Sequence, residues 1–205
     1  RDVTGVQTCA LPICRIALDT RIAEVVPEFG PNAKDAITLE HVLLHTAGFP
    51  HAPMGIGDWD DRERRLARFA AWRCNWEPGT RFEYHATSAH WVLAEVIERL
   101  TGEDFRNHLR RRILDPLGLT RFELGVPPER QADINELVCV GTEATPDELE
   151  EALGIRELPI TEVTHEALMA FNRPEVRAVG VPGGGGVSNA GDLARFYQVL
   201  LRGDE

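Results

Sequence analysis

The sequence predicts a predominantly helical fold with few strands, and two observations carry that prediction. Apolar residues recur at helical spacing in several separate stretches, each bounded by capping or stop residues. Stretches that alternate apolar and polar residues, as half-buried strands do, are scarce. With 205 residues, of which 43% are hydrophobic and 27% charged, the chain has the composition of a globular protein of one domain or slightly more.

Charge and cysteine usage narrow the function classes. The net charge is −11 and the acidic residues are scattered, whereas a nucleic-acid surface needs a basic stripe. No apolar run approaches the roughly 20 residues of a membrane span. The cysteines form no C-x-x-C pair and have no histidine at zinc spacing, so we expect free thiols and no metal framework. They are Cys9, Cys14, Cys74 and Cys139.

The N-terminal stretch RDVTGVQTCALPI differs from the rest of the chain. It has neither the basic start nor the long apolar run of a signal peptide. It resembles a translated sequencing-adapter string of the kind that contaminates gene predictions from metagenomes. We therefore expect residues 1–13 to be non-native and residues 14–205 to be part of a domain, a fragment. Localisation and oligomeric state stay open.

The first predicted helices lie between residues 38 and 72. Thr38 is a good N-cap, helix-favouring residues run from Leu39 to Thr46, and Gly48 is a stop signal. Residues 49–61 are predicted to be a loop. Residues 62–72 space their apolar side chains on one face and predict an amphipathic helix.

Two further helices are predicted after the stretch EPGTRFEYHATSAHW, residues 77–91, in which a turn leads into a short strand-like piece. Thr87 or Ser88 caps the first helix, which ends at Thr101-Gly102. The second helix runs from Asp104 to Leu114.

The last third is less regular. Within the irregular residues 125–163, a short acidic helix is predicted over Pro146–Leu153, and another follows over His165–Phe171. The glycines at 183–186 lack the lysine of a phosphate-binding loop, so we expect them to allow close backbone approach and unusual torsions beside a cleft. Asn189 caps the final predicted helix, with Asp192 three residues later.

Tyr84 and His85, side by side at a helix entrance, are either acid–base catalysts or an aromatic plug and a cap. Two other histidines, His41 and His45, are four residues apart, as in zinc sites, but no third ligand is evident and capping or surface roles fit them better.

The serines exclude one chemistry for this chain. Neither Ser88 nor Ser188 lies in a G-x-S-x-G motif, and neither is followed three residues later by lysine. Lys34, the single lysine, has Pro31 three residues before it. By itself, the chain therefore cannot perform Ser–Lys acyl transfer.

Four stretches, taken together, resemble the serine β-lactamase-related family, which holds class C β-lactamases, D-alanyl-D-alanine carboxypeptidases and related esterases. ITLEHVLLHTAGFP resembles its L-L-x-H-T-S/A-G-L-P segment, and EPGTRFEYHATSAHW its P-G-x-x-F-x-Y-S-N segment. ILDPLGLTRF resembles its P-L-G-M/L turn, and PGGGGVSNAGDLARF its G-G-L-x-S-T-A-x-D-L-A-R-F segment. The four matches occur in the family's order.

The resemblance implies an α+β, β-lactamase/transpeptidase-like fold, which pairs a helical subdomain with an antiparallel sheet flanked by helices. This chain would supply mostly the helical subdomain and few strands. The implied mechanism is attack by an S-x-x-K serine on an ester or amide carbonyl, with an acyl-enzyme intermediate and no cofactor. Small esters, amides or β-lactams would be the substrates.

On the residues that match, Tyr84 falls at the family's catalytic tyrosine. Ala86 stands where members with β-lactamase activity have asparagine, and alanine cannot offer the hydrogen bonds of an amide. This favours an esterase or peptidase-like relative. His85, Ala86 and Gly185 are candidate substrate-binding residues, although a helix-entry or solvated role suits His85 better.

Three hypotheses follow. The leading one is a parent serine hydrolase for esters or amides in which Tyr84 is general base or proton shuttle, the present chain alone being inactive. The second is a catalytically silent, penicillin-binding-protein-like binding module. The third is a metal-dependent enzyme that uses His41, His45 and another histidine.

Overall fold

The structure, a computed structural model, describes residues 16–142, 144–157 and 164–202. The stretch expected to be non-native, residues 1–13, lies outside these ranges. The described α-helices are α1 (Ile22–Val25), α2 (Leu39–Leu43), α3 (Ile56–Trp59), α4 (Arg62–Ala71), α5 (Ser88–Thr101), α6 (Phe105–Leu109), α7 (Pro146–Leu153), α8 (His165–Met169), α9 (Pro174–Val179) and α10 (Ala190–Arg202). The described strands are β1 (Glu123–Leu124) and β2 (Gly186–Val187).

Short turns of other helix types connect these elements. Pro27–Phe29, Pro128–Arg130 and Ala170–Asn172 are 3-10 turns, and Arg110–Leu114 is a π-helical continuation of α6. In the part of the chain that the structure describes, no helix is long and apolar enough to cross a bilayer.

The longest helix, α5, lies at the centre of the packing and contacts both α1 and α2. Its apolar stripe is buried, with Trp91, Val92 and Val96 each almost inaccessible to solvent. The helix stops at Gly102, whose φ of 69° is in the left-handed region that glycine adopts without steric cost. The capping and stop residues that predict this helix therefore give its bounds correctly.

A buried carboxylate ties α5 to its neighbours. Glu95 pairs with Arg99 one turn later, at 2.7 Å, and also binds Arg62 of α4. The side chain of Glu95 is 2% exposed, so this side of α5 faces the protein interior. Arg99 in turn reaches Glu28, at 2.7 Å. Removing one arginine would leave a buried charge incompletely compensated, which is strongly destabilising.

Aromatic rings fill the core beneath the loop that follows α2. Phe49 contacts Phe29 and Trp72 with ring centroids 5.5 and 5.7 Å apart, and Phe69 lies 4.9 Å from Trp72. Each of the three phenylalanines is fully buried. Truncating such a ring to alanine typically costs about 3–5 kcal/mol, so this cluster is a rigid base for the residues above it.

The two strands form an antiparallel ladder in which Glu123 pairs with Val187 and Leu124 with Gly186. The ladder brings the glycine-rich stretch alongside residues 121–124. Nearby, Val176 of α9 and Val181 are fully buried and belong to the same core as α5.

Several predicted elements differ from the observed ones. Residues 56–59, predicted to be loop, form the helical turn α3, which Gly55 and Asp58 stabilise through a bond from the Gly55 N–H to Asp58 Oδ2. The strand-like piece before Tyr84 pairs with no strand in the described chain. The helix α2 ends at Leu43, three residues early, because His45 has a φ of 56° that a helix cannot continue through.

Candidate functional site

A large cavity of about 1410 Å³ opens on one side of the described chain. Five separated stretches line it, contributed from within residues 51–59, 84–87, 121–137, 167–177 and 183–189. Its walls include apolar side chains such as Met54, Trp59 and Phe171, and the last two stack with centroids 6.4 Å apart. A cavity of this size with mainly apolar walls is typical of a small-molecule site.

Tyr84 lines the cavity, and the residue is 56% exposed. Hydrogen bonds attach the loop that carries Tyr84 to the loop that follows α2. Gly79 N–H donates to Thr46 O at 2.9 Å, Glu83 N–H to His45 O at 3.2 Å, and His85 N–H to the His45 ring at 3.2 Å. The His45 and Tyr84 rings lie 4.7 Å apart. The backbone bonds therefore fix the tyrosine at the cavity wall.

His85, next in the chain, has a different environment. Its side chain is fully buried and does not line the cavity. Phe49 N–H donates to Nε2 at 3.0 Å, and Nδ1 lies 2.6 Å from Glu83 O, so Nδ1 carries the proton. Burial lowers the pKa of His85 from 6.5 to about 4. Substrate contact does not fit this placement, and neither does a solvated helix-entry role, because the ring joins two loops inside the core.

Ala86 lines the cavity two residues after Tyr84, where the sequence places it. Its methyl group offers the cavity neither a donor nor an acceptor. Behind it, the Ser88 hydroxyl is fully buried and donates to Phe49 O at 3.1 Å. The Ser88 side chain therefore serves the junction between the core and α5.

The glycine-rich stretch forms a second wall of the cavity, and the expectation of close backbone approach and unusual torsions there is confirmed. Gly183 has a φ of 85°, and a Cβ on it would lie 2.6 Å from the His90 ring. A Cβ on Gly185 would lie 2.5 Å from Val181 N. Gly185 is itself buried but borders the cavity, so a substrate contact would involve its backbone.

A histidine pair beside Tyr84 was not predicted from the sequence. The His90 ring centroid lies 6.0 Å from that of His45 and 6.4 Å from that of Tyr84. Burial lowers the pKa of both His45 and His90, which favours their neutral forms. The sequence signal was the position of His90 in the first turn of α5, six residues after the tyrosine.

Arg177 is another cavity residue that the sequence did not single out. Its side chain is buried at the end of α9 and donates to Phe171 O at 3.0 Å, to Asn172 Oδ1 at 3.2 Å and to Asn135 O at 3.4 Å. It thereby joins two of the lining stretches. The apolar residues in the predicted loop at 49–61 were the other available signal, since a solvated loop does not need Met54 or Trp59.

Lys34 has a structural role in the core and does not line the cavity. It is fully buried, and its ammonium group donates to the carbonyl oxygens of Pro31 and Trp72. Ser188 borders the cavity but donates to Asn189 O at 3.2 Å. Among the described residues, no serine hydroxyl is bonded to this lysine, so the structure forms no Ser–Lys pair there.

The two histidines at zinc spacing do not share a helix face. His41 accepts the Thr38 N–H at 3.3 Å and so closes a capping box at the start of α2, whereas His45 lies beyond the end of that helix. Within the described ranges, no group of three or more histidine, cysteine or acidic side chains is arranged to hold a metal ion. The helical pairing that motivated the third hypothesis is therefore not formed.

Comparisons with known proteins add the family context. The sequence profile of the Beta-lactamase family matches residues 14–205. The esterase/beta-lactamase LipL of Mycobacterium tuberculosis is 27% identical over 208 residues, which are 93% of this chain and 46% of that protein. A penicillin-binding protein homolog from Caulobacter crescentus, known from its crystal structure, is 28% identical with a TM-score of 0.69, over 91% of this chain and 49% of that one.

A family VIII carboxylesterase of known crystal structure gives a similar result, with 28% identity and a TM-score of 0.70 over 90% of this chain and 48% of that one. The chain thus spans about half the length of these similar proteins. The likeness confirms the predicted α+β, β-lactamase/transpeptidase-like fold, of which the described residues are mostly helical with two short strands.

Proposed function

The chain belongs to the beta-lactamase family, and from this membership we propose that the longer protein is a serine hydrolase that opens an ester or amide through an acyl-enzyme intermediate. The observation that carries the proposal is the placement of Tyr84. Its phenol stands at the wall of a mainly apolar cavity, held there by the loop after α2 and facing the same space as Ala86 and Gly185.

In the proposed reaction, the S-x-x-K serine of the longer protein attacks the substrate carbonyl carbon. Tyr84 acts as general base or proton shuttle, taking the hydroxyl proton and delivering it to the leaving alcohol or amine. A water molecule then attacks the acyl-enzyme carbonyl with the same proton transfers. This step releases the carboxylic acid and restores the serine hydroxyl. This chain's contribution is the tyrosine and the walls that orient the substrate and exclude solvent.

The cavity also supports a preference among substrates. Because Ala86 presents only a methyl group, an amide substrate finds no side-chain hydrogen-bond partner at that position. An ester has no N–H group that needs a partner, so it loses less binding free energy at this position than an amide does. The apolar lining from Met54, Trp59 and Phe171 suits a substrate with an apolar acyl or alcohol group. We therefore place esters before amides and β-lactams.

Replacing Tyr84 with phenylalanine tests the role. In the full-length protein with its S-x-x-K element, we expect Tyr84→Phe to lower kcat/KM for a chromogenic ester by roughly 10²–10⁴-fold, because the proton-transfer group is lost while the ring is kept. The matched control is Tyr197→Phe, since Tyr197 is also 56% exposed but lies on α10 outside the cavity. Unchanged turnover in Tyr84→Phe would sink the assignment.

The second candidate function is a catalytically silent binding module, which the mainly apolar cavity would also suit. An activated ester with a fluorescent acyl group, quenched with denaturant during turnover, distinguishes the two candidates on the full-length protein, because esters are the preferred substrates. An acyl-enzyme mechanism leaves the label bound after denaturation, because the bond is covalent. A binding module releases all of it on denaturation while still showing saturable binding in the native state.

A further inference from the structure

A cysteine and a histidine meet on the surface, outside the cavity lining. Cys139 Sγ lies 2.9 Å from His165 Nδ1, close enough for one proton to be shared between them. Both residues are exposed, and Cys139 is a free thiol. They are 26 positions apart in sequence, so the fold brings them together. Nothing in the proposed hydrolase chemistry uses either residue.

Independent contacts hold the two partners in place. Two residues before the cysteine, Leu137 N–H donates to Asn172 Oδ1 at 2.7 Å, and Asn172 Nδ2 donates to Leu137 O at 2.8 Å. His165 is the first residue of α8, whose start is capped by Thr164, with the Ala167 N–H donating to its hydroxyl at 3.1 Å. The thiol and the imidazole are therefore positioned by the fold before any reagent arrives.

Cys74, the second thiol that the structure describes, is an internal control for the reactivity of Cys139. Cys74 is only partly exposed, its Sγ lies 3.9 Å from Ala47 O, and burial raises the pKa of its thiol. No imidazole contacts it among the described residues. A difference in reactivity between Cys139 and Cys74 thus reports on exposure and on the histidine together, and the two contributions can be separated by mutation.

We propose that Cys139 and His165 form a reactive thiol–imidazole pair that takes up low-molecular-weight disulfides, which makes Cys139 a site of reversible S-thiolation. As Sγ attacks one sulfur of the disulfide, its proton passes to His165 Nδ1 and the new S–S bond forms. The old S–S bond breaks, and the leaving thiolate takes up the proton from the imidazolium. Cys139 is oxidised and the departing sulfur is reduced, so the disulfide is the only oxidant needed.

The adduct would stand next to the cavity. Leu137 lines the cavity two residues before Cys139, and Ala167 lines it two residues after His165. A group on Cys139 would also displace the imidazole contact that joins these two wall segments. S-thiolation would thus weaken the contact between the cavity-wall segments that contain Leu137 and Ala167, whichever substrate the cavity takes.

The experiment uses the chain with its own cysteines and oxidised glutathione as the probe. Adducts on each cysteine are quantified over time by peptide mass spectrometry in the parent chain and in His165→Asn, which keeps a hydrogen-bonding group but cannot take the proton. We expect Cys139 to react faster than Cys74 in the parent, and its rate to fall at least about tenfold in His165→Asn while that of Cys74 is unchanged.

Two outcomes would overturn the proposal. If Cys139 reacts equally fast in the parent and in His165→Asn, exposure alone explains its reactivity. If Cys139 reacts no faster than Cys74, the pair gives no activation. Because His165 is exposed, the variant is expected to fold, and an unchanged far-UV circular dichroism spectrum checks this. A reducing agent should remove the adduct and restore the starting mass.

Discussion

The titratable side chain of His85 has a structural role, although its neighbour Tyr84 faces the cavity. Both ring nitrogens are bonded to backbone groups, one from Phe49 and one from Glu83. A protonated ring would have to break the bond from Phe49, because both nitrogens would then be donors. The neutral His85 ring therefore connects the backbone at Phe49 to the backbone at Glu83, next to Tyr84.

This burial predicts a pH dependence of stability. The pKa of His85 is lowered from 6.5 to about 4, so below pH 6.5 the unfolded chain binds a proton that the folded chain does not. Stability from this residue is complete above pH 6.5 and is lost as the pH falls toward 4, by roughly 3 kcal/mol in total.

Urea unfolding of the parent chain and of His85→Gln over this pH range measures the effect. The glutamine side chain can both accept and donate a hydrogen bond but does not titrate, so its free energy of unfolding should depend less steeply on pH. Equal slopes for the two proteins would contradict the assignment of a depressed pKa to His85.

Of the three described helices with ten or more residues, α10 alone has no buried residue. Its apolar side chains Leu193 and Leu200 are 42% and 41% exposed. The contacts are concentrated near its start, where Arg121 N–H donates to Asp192 Oδ2 at 2.7 Å and Phe196 meets Phe122 with centroids 6.1 Å apart. The helix is therefore anchored at one end.

Removing the anchor should release the helix selectively. We expect Asp192→Ala to weaken the docking of α10 by about 1–3 kcal/mol, because a charge-assisted hydrogen bond to the Arg121 backbone is lost. Hydrogen exchange followed by mass spectrometry should show faster exchange in α10 and unchanged exchange in α5.

Asp192→Asn is the matched control, since its side-chain oxygen can still accept the same hydrogen bond. We expect it to retain most of the parent's protection in α10. If the alanine variant exchanges like the parent, the anchor lies elsewhere.

Element bounds were predictable where the signals are local. The bounds of α7 match the prediction because local signals mark its start: Pro146 is its first residue, and Thr145 and Glu148 form a capping box across its first turn. The strands β1 and β2 were not predictable, since two residues show no periodicity and their pairing is set by tertiary contacts. For the same reason, the family resemblance indicated Tyr84 but not the five-part cavity around it.

For the whole molecule, stability is unevenly distributed along the chain. The buried core runs mainly through residues 22–105 and adds Val176 and Val181 from the C-terminal part. In contrast, nearly all residues between 144 and 157 are exposed. Few buried apolar contacts mean a small free energy of local opening. This segment should open far more often than α4 or α5.

Limited digestion with a glutamate-specific protease tests this distribution. We expect the first cleavages after glutamates within residues 144–157, and later cleavage in α4, because a protease needs a locally unfolded substrate. Glu63 is the matched site, since it is also exposed but lies in a helix packed on the core. Early cleavage after Glu63, identified by intact mass, would contradict the predicted order.

The ladder between β1 and β2 also concerns the order of folding. It joins backbone groups about 60 residues apart, so closing it costs more chain entropy than forming any of the helices. The Gly183–Gly186 wall reaches the Tyr84 side only once that closure is made. The cavity therefore exists only in the completed fold, and a small molecule that fits it acts as a pharmacological chaperone, favouring the finished state over every partly folded one.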